Sequence, residues 1–314
     1  MTGALLLALL MAPAPKEPWK HRYVDANGVR LHYVTQGKGQ LILFLHGFPE
    51  FWYAWKGLLP EFAKDHQAVA LDMRGYNLSS KPEAVEQYAV PLLVEDIRAV
   101  AAKLGKAPKK KIVLVAHDWG GAVAWAFAIA HPEYVSKLVI INAPHPGVFG
   151  RELASNPAQQ KASSYMLMFR SPQAEATLSA NNYATLVQGV LSSGKAGAFT
   201  EDDKKAYIEA WSQKGALTGG LNYYRAARVG PPQPGTAAPE AAGELLRLGT
   251  AVKVPTLVIW GEKDRALLTG NLEGLDKFVP DLRIRRIPEG SHWVVHEYPD
   301  VVIGHIREFI GNSK

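Results

Sequence analysis

The sequence predicts a doubly wound α/β sheet interrupted by one helical insertion. Two observations carry that expectation. Short apolar runs recur at residues 41–45, 68–71, 112–116, 138–141 and 256–260, with a further strand at 282–287, and a continuous apolar run suits a strand covered on both faces. Helical spacing fills the intervals: Leu93, Ile97, Val100 and Leu104 recur at steps of four, three and four, which is one face of a helix. Strands alternating with helices give a parallel sheet with helices on its faces.

The elements follow in order. Ala4-Leu5-Leu6-Leu7-Ala8-Leu9-Leu10-Met11 is long enough for the core of a signal peptide and too short to span a bilayer. No Lys or Arg precedes it, and Pro15 is awkward for signal cleavage, so a cytoplasmic fate, export and a membrane-touching tail all stay open. Residues 22–25 and 29–34 flank Ala26-Asn27-Gly28, and an Asn-Gly pair suits the positive φ angles of a tight hairpin. The apolar strands and their helices come next. The pattern breaks between about Pro146 and Gly243, where Ala, Ser, Gln and Tyr dominate at helical spacing, closing with Pro231-Pro232-Gln233-Pro234-Gly235. The expected division is an apolar tail over 1–19, a first core segment over 20–146, a helical cap over 147–246 and a second core segment over 247–314.

A chain of 314 residues can bury about three quarters of its unfolded surface, and its 47% apolar content is ordinary for a globular protein. The net charge of +6 is mild, and its one basic run, Lys109-Lys110-Lys111, reads as a solvated loop, so no nucleic-acid partner is expected. With no cysteine, disulfides, thiolate metal sites and a Cys nucleophile are excluded.

In an open α/β sheet, ligands bind beyond the carboxyl ends of the strands, so the residues following each strand are the candidates for chemistry. Val113-Leu114-Val115-Ala116-His117-Asp118-Trp119-Gly120-Gly121, followed by a helical run over 122–130, has the layout of a nucleophile elbow. The nucleophile slot holds Asp118. A carboxylate there can attack saturated carbon and form an ester, splitting one displacement into two easier steps; the alternative is that Asp118 only caps the helix. Trp260-Gly261-Glu262-Lys263-Asp264 follows a second strand and Glu289-Gly290-Ser291-His292-Trp293 a third, giving the order nucleophile, acid, histidine. An acid at one strand end can fix the imidazole of the next and make His292 a base towards water. At a fourth junction, His46-Gly47-Phe48-Pro49-Glu50-Phe51-Trp52, a sharp turn at Gly47 would aim the amides of Phe48 and Trp119 at one point near Asp118, as an oxyanion hole. Pro49 is a candidate for a cis peptide bond.

His46-Gly47-Phe48-Pro49-Glu50, His117-Asp118-Trp119-Gly120-Gly121, Asp264 and Gly290-Ser291-His292-Trp293 together resemble the epoxide hydrolases of the α/β-hydrolase fold, over nearly everything from residue 20 onward. The resemblance implies an α/β-hydrolase core with an inserted helical lid. It implies Asp118 as nucleophile and His292, oriented by Asp264, as the base that activates water. It also implies two lid tyrosines that hold the epoxide oxygen. These map to Tyr165, in Tyr165-Met166-Leu167-Met168-Phe169, and Tyr224, in Asn222-Tyr223-Tyr224-Arg225; Tyr183 and Tyr223 are their competitors. Trp119, Phe51, Trp52 and Phe169, with His46 and Pro49, are expected to wall an apolar cavity for a lipophilic epoxide.

The sequence departs from the family pattern at Ala116 and Asn77, where Gly is usual, but Ala is small and Asn tolerates a left-handed backbone. No cofactor or metal is called for, since no metal-ligand spacing is evident; the expected partner is a small-molecule epoxide, and a homodimer is possible. Competing readings are a haloalkane dehalogenase on the same triad, with Trp211 as the one lid Trp to bind halide, and a non-catalytic small-molecule binder. An esterase is disfavoured because no Ser occupies the elbow.

Overall fold

The computed structural model describes residues 18–233 and 251–311, so the apolar run at the N-terminus and the end of the predicted cap lie outside the described residues. Every predicted strand forms. β1 (Lys20–Ala26) and β2 (Val29–Gln36) make the hairpin, with Asn27 and Gly28 both at positive φ (47° and 78°). β3 (Gln40–Leu45), β4 (His66–Leu71), β5 (Ile112–His117), β6 (Val135–Ile141), β7 (Thr256–Gly261) and β8 (Leu282–Ile287) complete an eight-stranded sheet in the order β1-β2-β4-β3-β5-β6-β7-β8. Only β2 runs antiparallel to the rest; β1 and β3 to β8 share one direction.

The central strands are buried along their length, which is why they read as unbroken apolar runs: Ile42, Phe44, Leu114, Val115, Ile140 and Ile141 have no or almost no solvent exposure. Among the described residues the core helices are α1 (Leu59–Phe62), α2 (Val90–Gly105), α3 (Asp118–Ala130), a short helix over Val294–Glu297 and a C-terminal helix (Pro299–Ile310). Leu93, Ile97 and Val100 form the buried stripe of α2, as their spacing predicts. Asn77 adopts the left-handed backbone (φ 40°) that made it an acceptable substitute for Gly.

Between β6 and β7 the described chain is helical: α4 (Pro146–Ser155), α5 (Pro157–Ala162), α6 (Tyr165–Arg170), α7 (Ala174–Leu186), a π turn over Val187–Leu191, α8 (Glu201–Ser212) and α9 (Ala216–Ala227). Helix α8 starts in a capping box in which Thr200 and Asp203 satisfy each other's backbone N–H groups. Helix α7 is broken at Asn181, Asn182 and Tyr183, all left-handed, a conformation Asn accepts at small cost.

Buried polar contacts seat this layer on the carboxyl ends of the strands. The Tyr207 hydroxyl donates to Glu50 Oε1 (2.8 Å), the Trp211 indole to the Pro49 carbonyl (2.5 Å) and the Tyr223 hydroxyl to the Arg74 carbonyl (2.9 Å). Among the described residues, no helix is long and apolar enough to cross a membrane.

Candidate active site

The site grows from the bend between β5 and α3. Asp118 has φ of +49°, a conformation that costs a non-glycine residue about 1–2 kcal/mol and that marks a bend held for a purpose. The bend needs small neighbours. A Cβ on Gly120 would lie 2.4 Å from the Leu45 carbonyl oxygen, and one on Gly47 would lie 2.3 Å from Asp118 Cβ. The capping alternative fails, because the helix N-cap is His117, without a side-chain cap bond, and the Asp118 carboxylate faces away from its own helix. Its Oδ1 accepts the Phe48 N–H at 2.8 Å, across the loop after β3. Of the two amides expected to converge there, that of Phe48 makes this bond. The Phe48–Pro49 peptide is cis.

Oδ2 of the same carboxylate lies 3.5 Å from His292 Nε2, while His292 Nδ1 bonds Asp264 Oδ2 at 2.7 Å. Asp264 is held on every side: Oδ1 accepts the N–H groups of Ala266 and Leu267, and Oδ2 also accepts the Asn142 side-chain amide at 2.8 Å. Asn142 ends β6 with a positive φ, and its side-chain oxygen takes the Gly261 N–H. The sequence reading missed it, although the rule that chemistry gathers just past the strand ends points there too.

Charges follow from these contacts. Burial would raise the Asp118 pKa, but the hydrogen bond and charge of His292, the charge of His117 and the Phe48 amide overcome it and hold the acid below its ordinary range. Burial alone would depress His292. The charge of Asp264 and hydrogen bonds to Asp118 and Asp264 outweigh it, so His292 sits well above its ordinary pKa and rests as a cation between two carboxylates.

A hollow of about 280 Å³ opens beside Asp118 and His292, walled by Phe48, Pro49, Phe169, Leu178, Val190 and Trp293 among others. A smaller one of about 50 Å³ lies against Trp119, Phe149 and Leu267. Asp118, Tyr165 and Tyr224 belong to both walls, which sets the two phenols around the carboxylate. Burial and the Asp118 charge push both phenols well above the ordinary tyrosine pKa, so each keeps its proton as a donor. The competitors are occupied elsewhere: Tyr223 on the Arg74 carbonyl, Tyr183 on the Trp211 carbonyl at 3.3 Å.

Three predicted walls are corrected. His46, Phe51 and Trp52 do not line either hollow. His46 is fully buried, bonded through Nδ1 to the Gly47 carbonyl (2.9 Å) and through Nε2 to the Met73 N–H (3.1 Å), so it braces the loop from behind. After Pro49 the chain turns into a short helix (Trp52–Trp55), which carries the next two rings away from the cleft. Phe51 stacks on Tyr53 at 5.5 Å, and Trp52 packs edge-on against Trp19 at 5.4 Å. Trp293, by contrast, was passed over as a wall although it adjoins His292. The indole of Trp211, committed to the Pro49 carbonyl, is not a free halide donor.

Comparison with known proteins gives the family. The family described as alpha/beta hydrolase fold matches residues 40–299. Epoxide hydrolase 4 of Homo sapiens is 38% identical, over 92% of this chain and 78% of its own length. The AB hydrolase superfamily protein YfhM of Bacillus subtilis is 38% identical, over 94% of this chain and 99% of its own. The crystal structure of the Bacillus megaterium epoxide hydrolase in complex with an inhibitor superposes with a TM-score of 0.83 at 40% identity, covering 92% of this chain and 99% of that one. The chain therefore belongs to the α/β-hydrolase-fold family and, within it, groups with the epoxide hydrolases.

Proposed function

We propose that the protein converts an epoxide and water to a vicinal diol in two steps, through an ester on Asp118. One observation carries the reading: the elbow carboxylate has one oxygen held by the Phe48 amide and the other turned towards His292, in a hollow walled by two protonated phenols.

In the first step Asp118 Oδ2 attacks an epoxide carbon, the carbon–oxygen bond opposite it breaks, and the ring oxygen takes a proton from Tyr165 or Tyr224. Ester formation removes the negative charge of Asp118. The His292 cation then loses one of the two carboxylates that stabilise it, gives up its proton to restore the phenol, and becomes a base. In the second step His292 takes a proton from water, whose oxygen attacks Cγ of Asp118. Negative charge collects on Oδ1 at the Phe48 amide, with the Trp119 amide as the second proposed donor. The Cγ–Oδ2 bond breaks and Oδ2 departs as a hydroxyl of the diol. The two protons of the water end, in net, on the two diol hydroxyls.

Tyr165→Phe and Tyr224→Phe each remove one donor to the developing alkoxide, and each is expected to lower kcat/KM for styrene oxide by about 10–1000-fold, by analogy with loss of an oxyanion donor. Removing both should cost more than either alone. Diol formation measured by chiral chromatography checks this. Double-variant turnover within a few-fold of the parent would rule the phenols out.

A further inference from the structure

Both neighbours of His292 are tied to the cap, Ser291 through Glu297 and Trp293 directly. On one side, the backbone N–H and the hydroxyl of Ser291 donate to the Glu297 carboxylate at 2.6 and 2.7 Å. That carboxylate also accepts the backbone N–H of Lys195, a cap residue, at 2.8 Å. On the other side, the Trp293 indole N–H reaches the Gly189 carbonyl (3.2 Å) and the Ser193 hydroxyl (3.0 Å), both in the cap. Glu297 and Trp293 are 5% and 7% exposed, so these bonds face little competition from water. The approach is close. A Cβ on Gly194 would lie 2.3 Å from Glu297 Oε1, so a side chain there would part the carboxylate from the cap turn, by moving one or the other. The same turn is part of the larger hollow, through Gly189 and Val190.

We propose that Glu297 and Trp293 are positioning residues that clasp the cap turn of residues 187–195 to the loop carrying His292, so that the water-activating imidazole is held in place only while the turn is seated. The inference rests on the Asp118 ester reading and assigns the clasp to one step of it. Ester formation uses Asp118 and the two phenols, on other elements. Hydrolysis uses His292, and a small displacement of a reacting group can slow a step by orders of magnitude. Since a substituent filling the larger hollow lies against Gly189, Val190 and Trp293, its fit and the placement of the base are coupled.

The test separates the two steps. Glu297→Gln keeps the shape of the side chain but turns one acceptor into a donor. Trp293→Phe keeps a ring in the hollow and removes the N–H. Gly194→Ala attacks the clasp from the cap alone, without touching the loop. Rapid-quench mass spectrometry with styrene oxide follows the rise and decay of the Asp118 adduct. The clasp predicts that Glu297→Gln and Gly194→Ala form the adduct within about threefold of the parent rate and that all three variants hydrolyse it about tenfold or more slowly, so that adduct accumulates and, in those two, kcat and KM fall together. Equal slowing of both steps, or parent-like decay in all three, would overturn the clasp while leaving the ester intact. No adduct in the parent or any variant, with diol still produced, would overturn the ester reading and the clasp with it.

Discussion

Asp118→Ala is expected to abolish diol formation, lowering kcat/KM by about 10⁴-fold or more, equivalent to about 5.5 kcal/mol of transition-state stabilisation. The size follows from what the site retains. The phenols, the His292–Asp264 pair and the hollow all survive, but no second carboxylate among the described residues lines the hollow: Asp264 is enclosed by four hydrogen-bond donors, and Glu50 is buried against His117, His296 and Tyr207. Ala keeps a Cβ, so the backbone strain of the +49° φ at this position remains, while the Phe48 N–H loses its acceptor. A modest loss of stability is therefore expected beside the loss of activity. Thermal melts alongside the kinetics distinguish lost chemistry from lost fold.

His292→Gln is expected to give a different failure. Turnover should fall by about 10³-fold, within the range general-base catalysis supplies, while the first step persists and the protein gains the mass of one epoxide. The pH behaviour of the parent follows from the same residue. His292 rests protonated, because its pKa is raised in the free enzyme by Asp264 and Asp118 against the effect of burial. It must lose that proton to act as a base, so the rate of adduct hydrolysis should rise with pH until the imidazole of the ester form is neutral, then level off. Ester formation needs ionised Asp118, whose pKa is lowered, and protonated phenols, whose pKa values are raised, and should stay flat until far lower pH. Intact-protein mass spectrometry on the variant, and single-turnover rates against pH on the parent, check both statements. A variant with no adduct, or parent hydrolysis that slows as pH rises through neutrality, would contradict them.

The proposed catalytic trio was legible because each member lies past the end of a parallel strand: Asp118 and Asp264 follow buried strands that read as apolar runs, and His292 follows the half-exposed β8. Tyr224 over Tyr223 was legible only through the resemblance. Adjacent helical residues point about 100° apart, and nothing local says which of them meets the cleft. The structure gives Tyr223 to the Arg74 carbonyl and Tyr224 to the hollow. Phe51 and Trp52 misled because aromatic residues close to Phe48 in sequence need not share its cavity. The chain turns at Pro49 and delivers those rings to the packing around Tyr53, Tyr207 and Trp19. Asn142 and Glu297 stayed hidden for another reason. Each acts across long sequence separations, on Asp264 and on the cap turn respectively, and neither apolar periodicity nor turn chemistry encodes such a contact. The break in α7 escaped notice because Asn-Asn-Tyr is compatible with a helix as well as with the left-handed turn it forms.

The covalent step is tested most directly by a single turnover with enzyme in excess of epoxide, in water enriched in oxygen-18. Oδ2 of Asp118 leaves with the substrate and water refills the carboxylate. The account therefore predicts a first-turnover diol free of solvent label, and one labelled oxygen in the peptide containing Asp118. Labelled diol from that first turnover, with an unlabelled Asp118 peptide, would mean that water attacks the epoxide directly and that no ester forms.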